Sequence, residues 1–287
     1  MQKKKLNLKE YAVWIMLVVL VAVFSLAVPN FATTGNMVTI LRQVANIGIL
    51  SVGMTFVLIS GGIDLSIGNQ MGLVGVIAAL LMVQYNVSPV LACLVGLVVG
   101  VVVGLINGLL ITYTQMPPLI MTLGMSYATR GMAYIITGGY PVYGLPESMK
   151  WMGQGYLFGV IPVCVLVMVI VIAIGAFIMN KTYVGRQFYA IGSNEEAARL
   201  SGLRVQRIRV LGYVIAGFLA ALSGIVLMSR VNSGQPMNGN GMEMDALIAC
   251  VVGGISVTGG EGKATGMIGG MLVMGILANG MAVAQFL

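Results

Sequence analysis

Few residues of this chain could carry out covalent chemistry. It has no histidine, eight acidic residues and three cysteines, which lie far apart in apolar runs at positions 93, 164 and 250. Metal sites and disulfide frameworks need closer, patterned spacings. Glu243 and Asp245 are two residues apart at the start of an apolar segment, so they would lie on different faces of a helix. We therefore expect no catalytic site, no metal and no cofactor.

One glycine-rich segment has part of the pattern of a phosphate-binding loop. The segment is TGGEGKA at 258–264. The motif G-x-x-x-x-G-K-[ST] requires glycine at 257 and serine or threonine at 264, where this chain has Val257 and Ala264. ATP hydrolysis by this chain is therefore not expected, and an energy source would be a separate subunit or an ion gradient.

The composition is that of a membrane protein. Of 287 residues, 59% are apolar and 8% charged, and the mean hydropathy is +1.00, whereas a soluble domain is about 25% charged. Such a chain cannot cover itself with charged surface, which argues against a soluble enzyme, a disordered chain and a nucleic-acid-binding module. We expect one all-α transmembrane domain over 1–287, a polytopic helical bundle in the lipid bilayer with about nine or ten spans.

Nine apolar segments are candidate spans, and their charges predict an orientation. They are 11–28, 41–60, 69–84, 89–113, 118–137, 156–179, 210–228, 245–258 and 265–287. With the N-terminus inside, eleven lysines and arginines fall in inner loops and only Lys150 and Arg230 in outer loops. This bias follows the positive-inside rule, and it explains the +7 net charge without a nucleic-acid partner.

The long inner loop, 180–210, predicts a short helix over about 194–201. Ser193 and Glu196 form an S-x-x-E capping box, and Gly202 is placed to end the helix. Such a helix with six basic residues around it favours contact with a partner over a plain connection between spans.

Polar residues within the spans are candidates for a translocation path, because hydrocarbon does not accommodate them. Asp64 lies in a glycine-rich break, where it could cap the next helix or contact a solute or ion; capping is favoured. The predicted path residues are Asn46, Ser60, Asp64, Asn69, Asn107, Thr122 and Arg130. Apart from Asp64 and Arg130 they are uncharged, which suits a neutral, hydroxylated solute.

A four-residue glycine repeat in 89–113 predicts close helix packing. Gly96, Gly100, Gly104 and Gly108 form one ridge, and small residues at this spacing let helices approach each other. We expect the ridge to pack within the chain rather than to form a dimer interface.

The inner loop resembles the cytoplasmic coupling loop of ATP-binding-cassette importer permeases. The pattern G-x-N-x-x-A-A-x-x-S-G falls on Gly192, Asn194, Ala197, Ala198, Ser201 and Gly202. The simple-sugar branch, which includes ribose and methylgalactoside permeases, is also similar at GGIDLSIG (61–68), GLINGLLI (104–111), TLG and RG (122–124, 130–131) and MDALIACVVGGISVTGGEG (244–262). Leu119 and Met244 stand where the family often has Phe and Leu.

The resemblance implies a permease subunit that moves a sugar across the bacterial cytoplasmic membrane by alternating access. The implied partners are a cytoplasmic ATP-binding subunit, a second permease chain, identical or different, and an extracytoplasmic solute-binding protein. The implied coupling residues are Gly192, Ser193, Asn194, Glu195, Glu196, Ala197, Ala198, Arg199, Ser201 and Gly202. Family members usually continue with one more apolar helix and a cytoplasmic tail, so truncation at Leu287 is expected. A nucleoside or branched-chain amino-acid permease and an ion-coupled secondary transporter are the alternatives.

Overall fold

The computed structural model describes residues 8–284, and most of this part of the chain is helical. Its helices are α1 (Leu8–Ala27), α2 (Thr34–Ile59), α3 (Ile67–Val83), α4 (Pro89–Thr114), α5 (Pro118–Thr137), α6 (Glu147–Gln154), α7 (Val163–Lys181), α8 (Tyr183–Ser193), α9 (Glu195–Leu200), α10 (Val205–Val231), α11 (Met242–Val252) and α12 (Ala264–Val283). Two short strands, β1 (Tyr156–Leu157) and β2 (Ile161–Pro162), pair antiparallel between α6 and α7. The prediction of an all-α membrane protein is confirmed.

Five described helices are long and apolar enough to cross a bilayer, namely α2, α4, α7, α10 and α12. Two further apolar helices are shorter, the part of α1 from Tyr11 to Ala27 and the whole of α3. Each of the nine predicted spans has a helix at its position, but α11 is only 11 residues long. A helix of that length extends about 16 Å, roughly half of a 30 Å hydrocarbon layer.

The centre of the bundle is α10, which packs against α2, α3 and α4. The glycine ridge of α4 faces α10: a Cβ on Gly104 would overlap the carbonyl oxygen of Tyr213, and one on Gly108 would lie 2.9 Å from the Cα of Val210. Only a residue without a side chain allows the two backbones to come this close. The predicted packing of the ridge within the chain is confirmed.

The bundle has two distinct ends. The coupling end, as we call it, carries α8, α9 and the loop between α11 and α12. There the Tyr189 hydroxyl donates to the carbonyl of Gly262 at 2.9 Å. The hairpin end carries α6 and the two strands. There Gln154 donates to the carbonyl of Arg230 at 3.0 Å, where α10 terminates.

Two non-helical segments interrupt the apolar bundle. We call residues 60–66, between α2 and α3, the first break, and residues 232–241, between α10 and α11, the second break. The second break runs along α3 from the hairpin end, where Gly234 pairs with Val142. A Cβ on Gly72 would lie 2.7 Å from the carbonyl oxygen of Pro236, and one on Gly68 would lie 2.6 Å from that of Gly239.

Because of the two breaks, the N-termini of α3 and α11 meet inside the bundle rather than at its surface. Asn107 of α4 bonds to Ser66, the residue before α3, at 2.8 Å. Since Asn107 lies seven residues before the end of α4 at Thr114, this contact is about 10 Å inside the coupling end. The second break therefore spans more than half of the bundle before α11 begins.

Candidate translocation and coupling sites

The first break is held by a buried hydrogen-bond network centred on Asp64. Its carboxylate oxygen Oδ1 accepts from the backbone N–H of Ser66 at 2.9 Å and from the Ser66 hydroxyl at 2.6 Å. Asn107 donates to the same hydroxyl. Asp64 is 0% exposed, and Ser66 occupies the N-cap position of α3. The carboxylate thus orders the turn that precedes α3, close to the capping role that the sequence favoured.

Helix α5 is attached on both sides of the point where α3 begins. The Thr122 hydroxyl oxygen accepts from the backbone N–H of Leu65 at 3.1 Å. One turn further along α5, the Ser126 hydroxyl accepts from the Asn69 amide at 2.7 Å. Four predicted path residues, Asp64, Asn69, Asn107 and Thr122, are therefore grouped around the first break.

Two other predicted path residues lie outside that group. The Asn46 amide donates to the carbonyl and the hydroxyl of Ser223, at 2.9 and 3.0 Å, between α2 and α10. The Ser60 hydroxyl, directly after α2, donates to the carbonyl of Val57 in the last turn of that helix at 2.8 Å. Both residues are buried, and these bonds give each of them a local structural role.

Arg130 connects α5 to the second break. Its Nη2 lies 3.5 Å from the sulfur of Met237, and its guanidinium carbon lies 5.9 Å from the ring centre of Tyr134. The residue is half-buried, and no carboxylate of the described chain forms an ion pair with it. A charge in this position is stable only where water or another protein group can reach it.

Residues 180–210, which we call the coupling segment, contain the two helices α8 and α9, so the predicted single capped helix is only partly right. Thr182 caps α8 by accepting from the N–H of Gly185 at 3.2 Å, and Asn194 caps α9 by accepting from the N–H of Ala197 at 2.9 Å. Ser193 is the last residue of α8, so the predicted capping box of Ser193 with Glu196 is wrong. Gly202 adopts φ +82° after α9, as expected for a residue that ends a helix.

Helix α9 is fixed to α10 by a carboxylate that bridges two arginines. Glu195 accepts from Arg199 of its own helix at 3.0 Å and from Arg209 of α10 at 2.6 Å. The hydrogen bond from Arg209 is the main reason that the pKa of Glu195 is lowered from its usual value. Within α9, the side chain of Ala198 is buried, whereas Ala197 is exposed and Leu200 is 84% exposed. The surface of α9 available to a partner is therefore that of Glu196, Ala197, Arg199 and Leu200.

Four glycines join the coupling segment to the interior of the bundle. We call Gly61, Gly192, Gly259 and Gly260 the glycine junction. A Cβ on Gly192 would overlap the carbonyl oxygen of Ile59 and the backbone nitrogen of Gly260. That nitrogen donates to the Ile59 carbonyl at 3.0 Å, and a Cβ on Gly259 would lie 3.0 Å from Gly61. The end of α8 thus touches both the last residue of α2, immediately before the first break, and the α11–α12 loop.

Helix α8 was not predicted, although its residue pattern is that of a helix. Gly185, Phe188 and Ile191 are its buried residues, and their three-residue spacing is that of an amphipathic helix. Thr182 precedes them as an N-cap residue. Arg209 as the partner of Glu195 had no such signal, because the two residues are 14 positions apart and on different helices.

The fold and these sites define a class of protein: a polytopic helical membrane protein with interrupted helices and a short helix pair at one end. Within the described residues, no group of three or more His, Cys, Asp or Glu side chains could hold a metal ion. The sequence profile of the family described as "Branched-chain amino acid transport system / permease component" matches residues 36–286.

Curated relatives give the same result. The ribose import permease protein RbsC of Bacillus subtilis (strain 168) is 44% identical over 92% of this chain and 82% of its own length. RbsC of Escherichia coli (strain K12) is 38% identical over 96% and 86%, and the L-arabinose transport system permease protein AraH of the same strain is 38% identical over 95% and 82%. No solved structure matched significantly. The chain belongs to this permease family and is a permease component of an ATP-binding-cassette transporter, as the resemblance predicts.

Proposed function

We propose that this chain is the translocation subunit of an ATP-driven importer that carries a simple sugar, such as a pentose, into the cell. The observation that carries this proposal is the 44% identity with a ribose import permease over 92% of the chain. Relatives named for ribose and for L-arabinose fall in the same range of identity. Both sugars are neutral and hydroxylated, which agrees with the mostly uncharged polar residues of the spans.

The proposed location is the bacterial cytoplasmic membrane, with the N-terminus and the coupling end in the cytoplasm. Lys181, Arg186, Arg199, Arg204, Arg207 and Arg209 all belong to the coupling segment and its junction with α10. This concentration of positive charge supports the orientation. We propose that 1–287 form one domain with nine crossings, in which the first break completes the crossing of α3 and the second break that of α11.

Three partners follow from membership in a family of importer permeases. A cytoplasmic ATP-binding subunit would contact α9 through the exposed side chains of Ala197 and Leu200. A solute-binding protein would deliver the sugar at the hairpin end. A second permease chain, identical or different, would complete the membrane-embedded unit. The coupling residues Gly192–Gly202 divide accordingly: Asn194, Glu195, Ala198 and Gly202 shape α9, while Gly192 and Ser193 join it to the bundle.

The glycine junction supplies the mechanical link in this mechanism. Movement of α8 and α9 with the ATPase would displace Gly192 against Ile59 and Gly260. Ile59 precedes the first break, and Gly260 lies in the loop that follows α11. Backbone contacts this close resist compression, because an interior packed at such density transmits strain rather than absorbing it. The bundle would then reorient between inward-open and outward-open states, with the seven predicted path residues forming or supporting its moving polar wall.

The decisive experiment is uptake by the reconstituted complex. The permease, its ATPase and its binding protein are placed in liposomes, and labelled ribose, L-arabinose, a nucleoside and leucine are compared. Sugar uptake that requires ATP and continues when ionophores collapse the proton and sodium gradients supports the proposal. Uptake of only the nucleoside or leucine would assign the chain to another solute class, and uptake abolished by ionophores at constant ATP would identify an ion-coupled carrier.

A further inference from the structure

Polar side chains are accessible along the second break and the start of α11, deep in the bundle. Asn238, Glu243 and Asp245 are half-buried, and Asn240 is exposed. From the sequence, Glu243 and Asp245 were expected only to lie at the start of an apolar segment. The structure places Glu243 against Gly68, the second residue of α3. Exposed polar groups at this depth face water or protein, since hydrocarbon does not solvate them.

The carboxylate of Glu243 fits there because Gly68 has no side chain. A Cβ on Gly68 would overlap Glu243 Oε2. Oε2 is enclosed and has no hydrogen-bond partner within the described residues, and the same holds for the Asn238 side-chain nitrogen. A fully solvated surface carboxylate would need no such recess in a neighbouring helix. The backbone N–H groups of Gly241 and Glu243 hydrogen-bond to the carboxylate at the start of α11. The remaining hydrogen-bonding capacity of the site is therefore that of Oε2 as an acceptor and of the Asn238 side-chain nitrogen as a donor.

The depth of this site follows from its neighbours. Ser66 bonds to Asn107, about 10 Å inside the coupling end of α4, and Gly68 is two residues further along α3. Glu243 is thus within the apolar layer on any placement that centres the 26-residue helix α4 in a bilayer. Arg130 approaches the same break through Met237, nearer to the hairpin end.

We propose that Glu243 is a solute-contacting residue, and that Glu243, Asn238 and Arg130 line one wall of the translocation path along the second break. The ligand is a neutral polyhydroxylated solute. A carboxylate accepts hydrogen bonds from hydroxyl groups, a guanidinium donates them, and an amide does both. This inference rests on the proposed function, since only a hydroxylated cargo makes use of all three groups.

Two variants test the role of Glu243 in different ways. Glu243→Gln keeps the size of the side chain and removes its charge, while Gly68→Ala keeps the carboxylate and displaces it. Both should lower the rate of sugar uptake about tenfold, because a hydrogen bond to a charged group is lost. Uptake is measured in liposomes at saturating, sugar-loaded binding protein, so that delivery is not limiting. The matched controls are Glu261→Gln, an exposed carboxylate, and Gly35→Ala, a helical glycine with no atom within 4 Å of its Cβ position; both should transport at the wild-type rate.

Deoxy analogues separate a solute contact from a structural role. With wild-type protein, removing the hydroxyl that Glu243 accepts from should slow uptake, whereas Glu243→Gln should transport the sugar and that analogue at similar rates. If both variants transport every sugar like wild type, the inference fails and the proposed function stands. A loss that is equal for all analogues and parallels a lower melting temperature would also overturn it. If the wild-type complex takes up no sugar, the proposed function fails, and the inference fails with it.

Discussion

Gly192→Ala is the substitution that tests the glycine junction most directly. The added methyl group would overlap the Ile59 carbonyl oxygen and the Gly260 nitrogen, and it would lie 3.0 Å from the Ile59 carbonyl carbon. All three atoms belong to backbone, so none of them can rotate away as the end of a side chain could. Either α8 moves from the first break, or the hydrogen bond from Gly260 to Ile59 opens.

The expected cost is about 2–4 kcal/mol of unfolding free energy. Overpacking of a close contact costs about 1–3 kcal/mol, and the lost hydrogen bond adds about 1 kcal/mol. The helix propensity of alanine recovers less than about 1 kcal/mol at this last turn of α8. The strain is concentrated where α8, the first break and the α11–α12 loop meet. The coupling of ATP hydrolysis to sugar import should therefore be impaired more than the binding of the ATPase.

The assay compares the unfolding free energy in lipid nanodiscs with the number of sugar molecules imported per ATP hydrolysed. We expect Gly192→Ala to lose stability by the stated amount and to import fewer sugars per ATP, while it still binds the ATPase. Gly35→Ala is the control, with an expected change of less than about 1 kcal/mol in the stabilising direction. A Gly192→Ala protein within about 0.5 kcal/mol of wild type, with unchanged coupling, would refute the packing argument.

Three further predictions concern orientation, the ATPase contact and pH. A reporter fused after Asn194 should be cytoplasmic and one after Tyr143 extracytoplasmic; a protease-protection result that places both on one side excludes the nine-crossing topology. Leu200→Asp should abolish co-purification of the ATPase without changing the melting temperature, whereas Ala198→Asp should lower the melting temperature, because Ala198 is buried within the chain; equal behaviour of the two would contradict the assigned faces. Since the pKa of Glu195 is lowered from 4.5, its stabilising contribution is complete above that value and is lost as pH falls through the lowered pKa. The stability difference between wild type and Glu195→Gln should therefore be constant from pH 8 to about 5 and shrink only below it; a difference that shrinks near neutral pH would contradict the ion-pair assignment.

The sequence predicted those features that depend on a regular pattern along one helix. Hydropathy located segments that each contain a helix, seven of which are apolar helices in the described residues, and the four-residue glycine spacing predicted that α4 packs closely within the chain. Gly202 was correctly expected to end α9, because φ near +82° is a local property of glycine. Each of these features is decided within a few residues of the chain, so no knowledge of distant neighbours is needed.

The depth of the second break could not be predicted in the same way. Residues 232–241 are polar and rich in glycine, which is also the composition of a surface loop. What carries them into the bundle is a groove on α3, where Gly68 and Gly72 leave room for the backbone of Gly239 and Pro236. A hydropathy window averages over this arrangement, so the sequence showed Glu243 only as a residue at the start of an apolar segment.

The cap of α9 was mispredicted for a related reason. Ser193 and Asn194 are adjacent and both are good N-cap residues, so local preference did not decide between them. The choice was made by α8, which continues through Ser193 because Ile191 and Phe188 are buried against the bundle. Asn194 is then the first residue free to leave the helical conformation and to cap α9.

The glycine junction lies next to both interrupted segments, so one movement at the coupling end could act on the two of them together. A continuous helix that receives force at its end moves as a rigid rod, whereas a helix interrupted by a few non-helical residues can bend there. Gly192 contacts Ile59, immediately before the first break, and Gly260, which lies in the loop that follows α11. In the proposed mechanism, force applied to α9 would reach both interrupted segments at the coupling end, while their other ends meet at Gly68 and Glu243. If the N-termini of α3 and α11 moved apart at this point, a polar surface would open to one side of the membrane. The apolar core around α10 would stay buried.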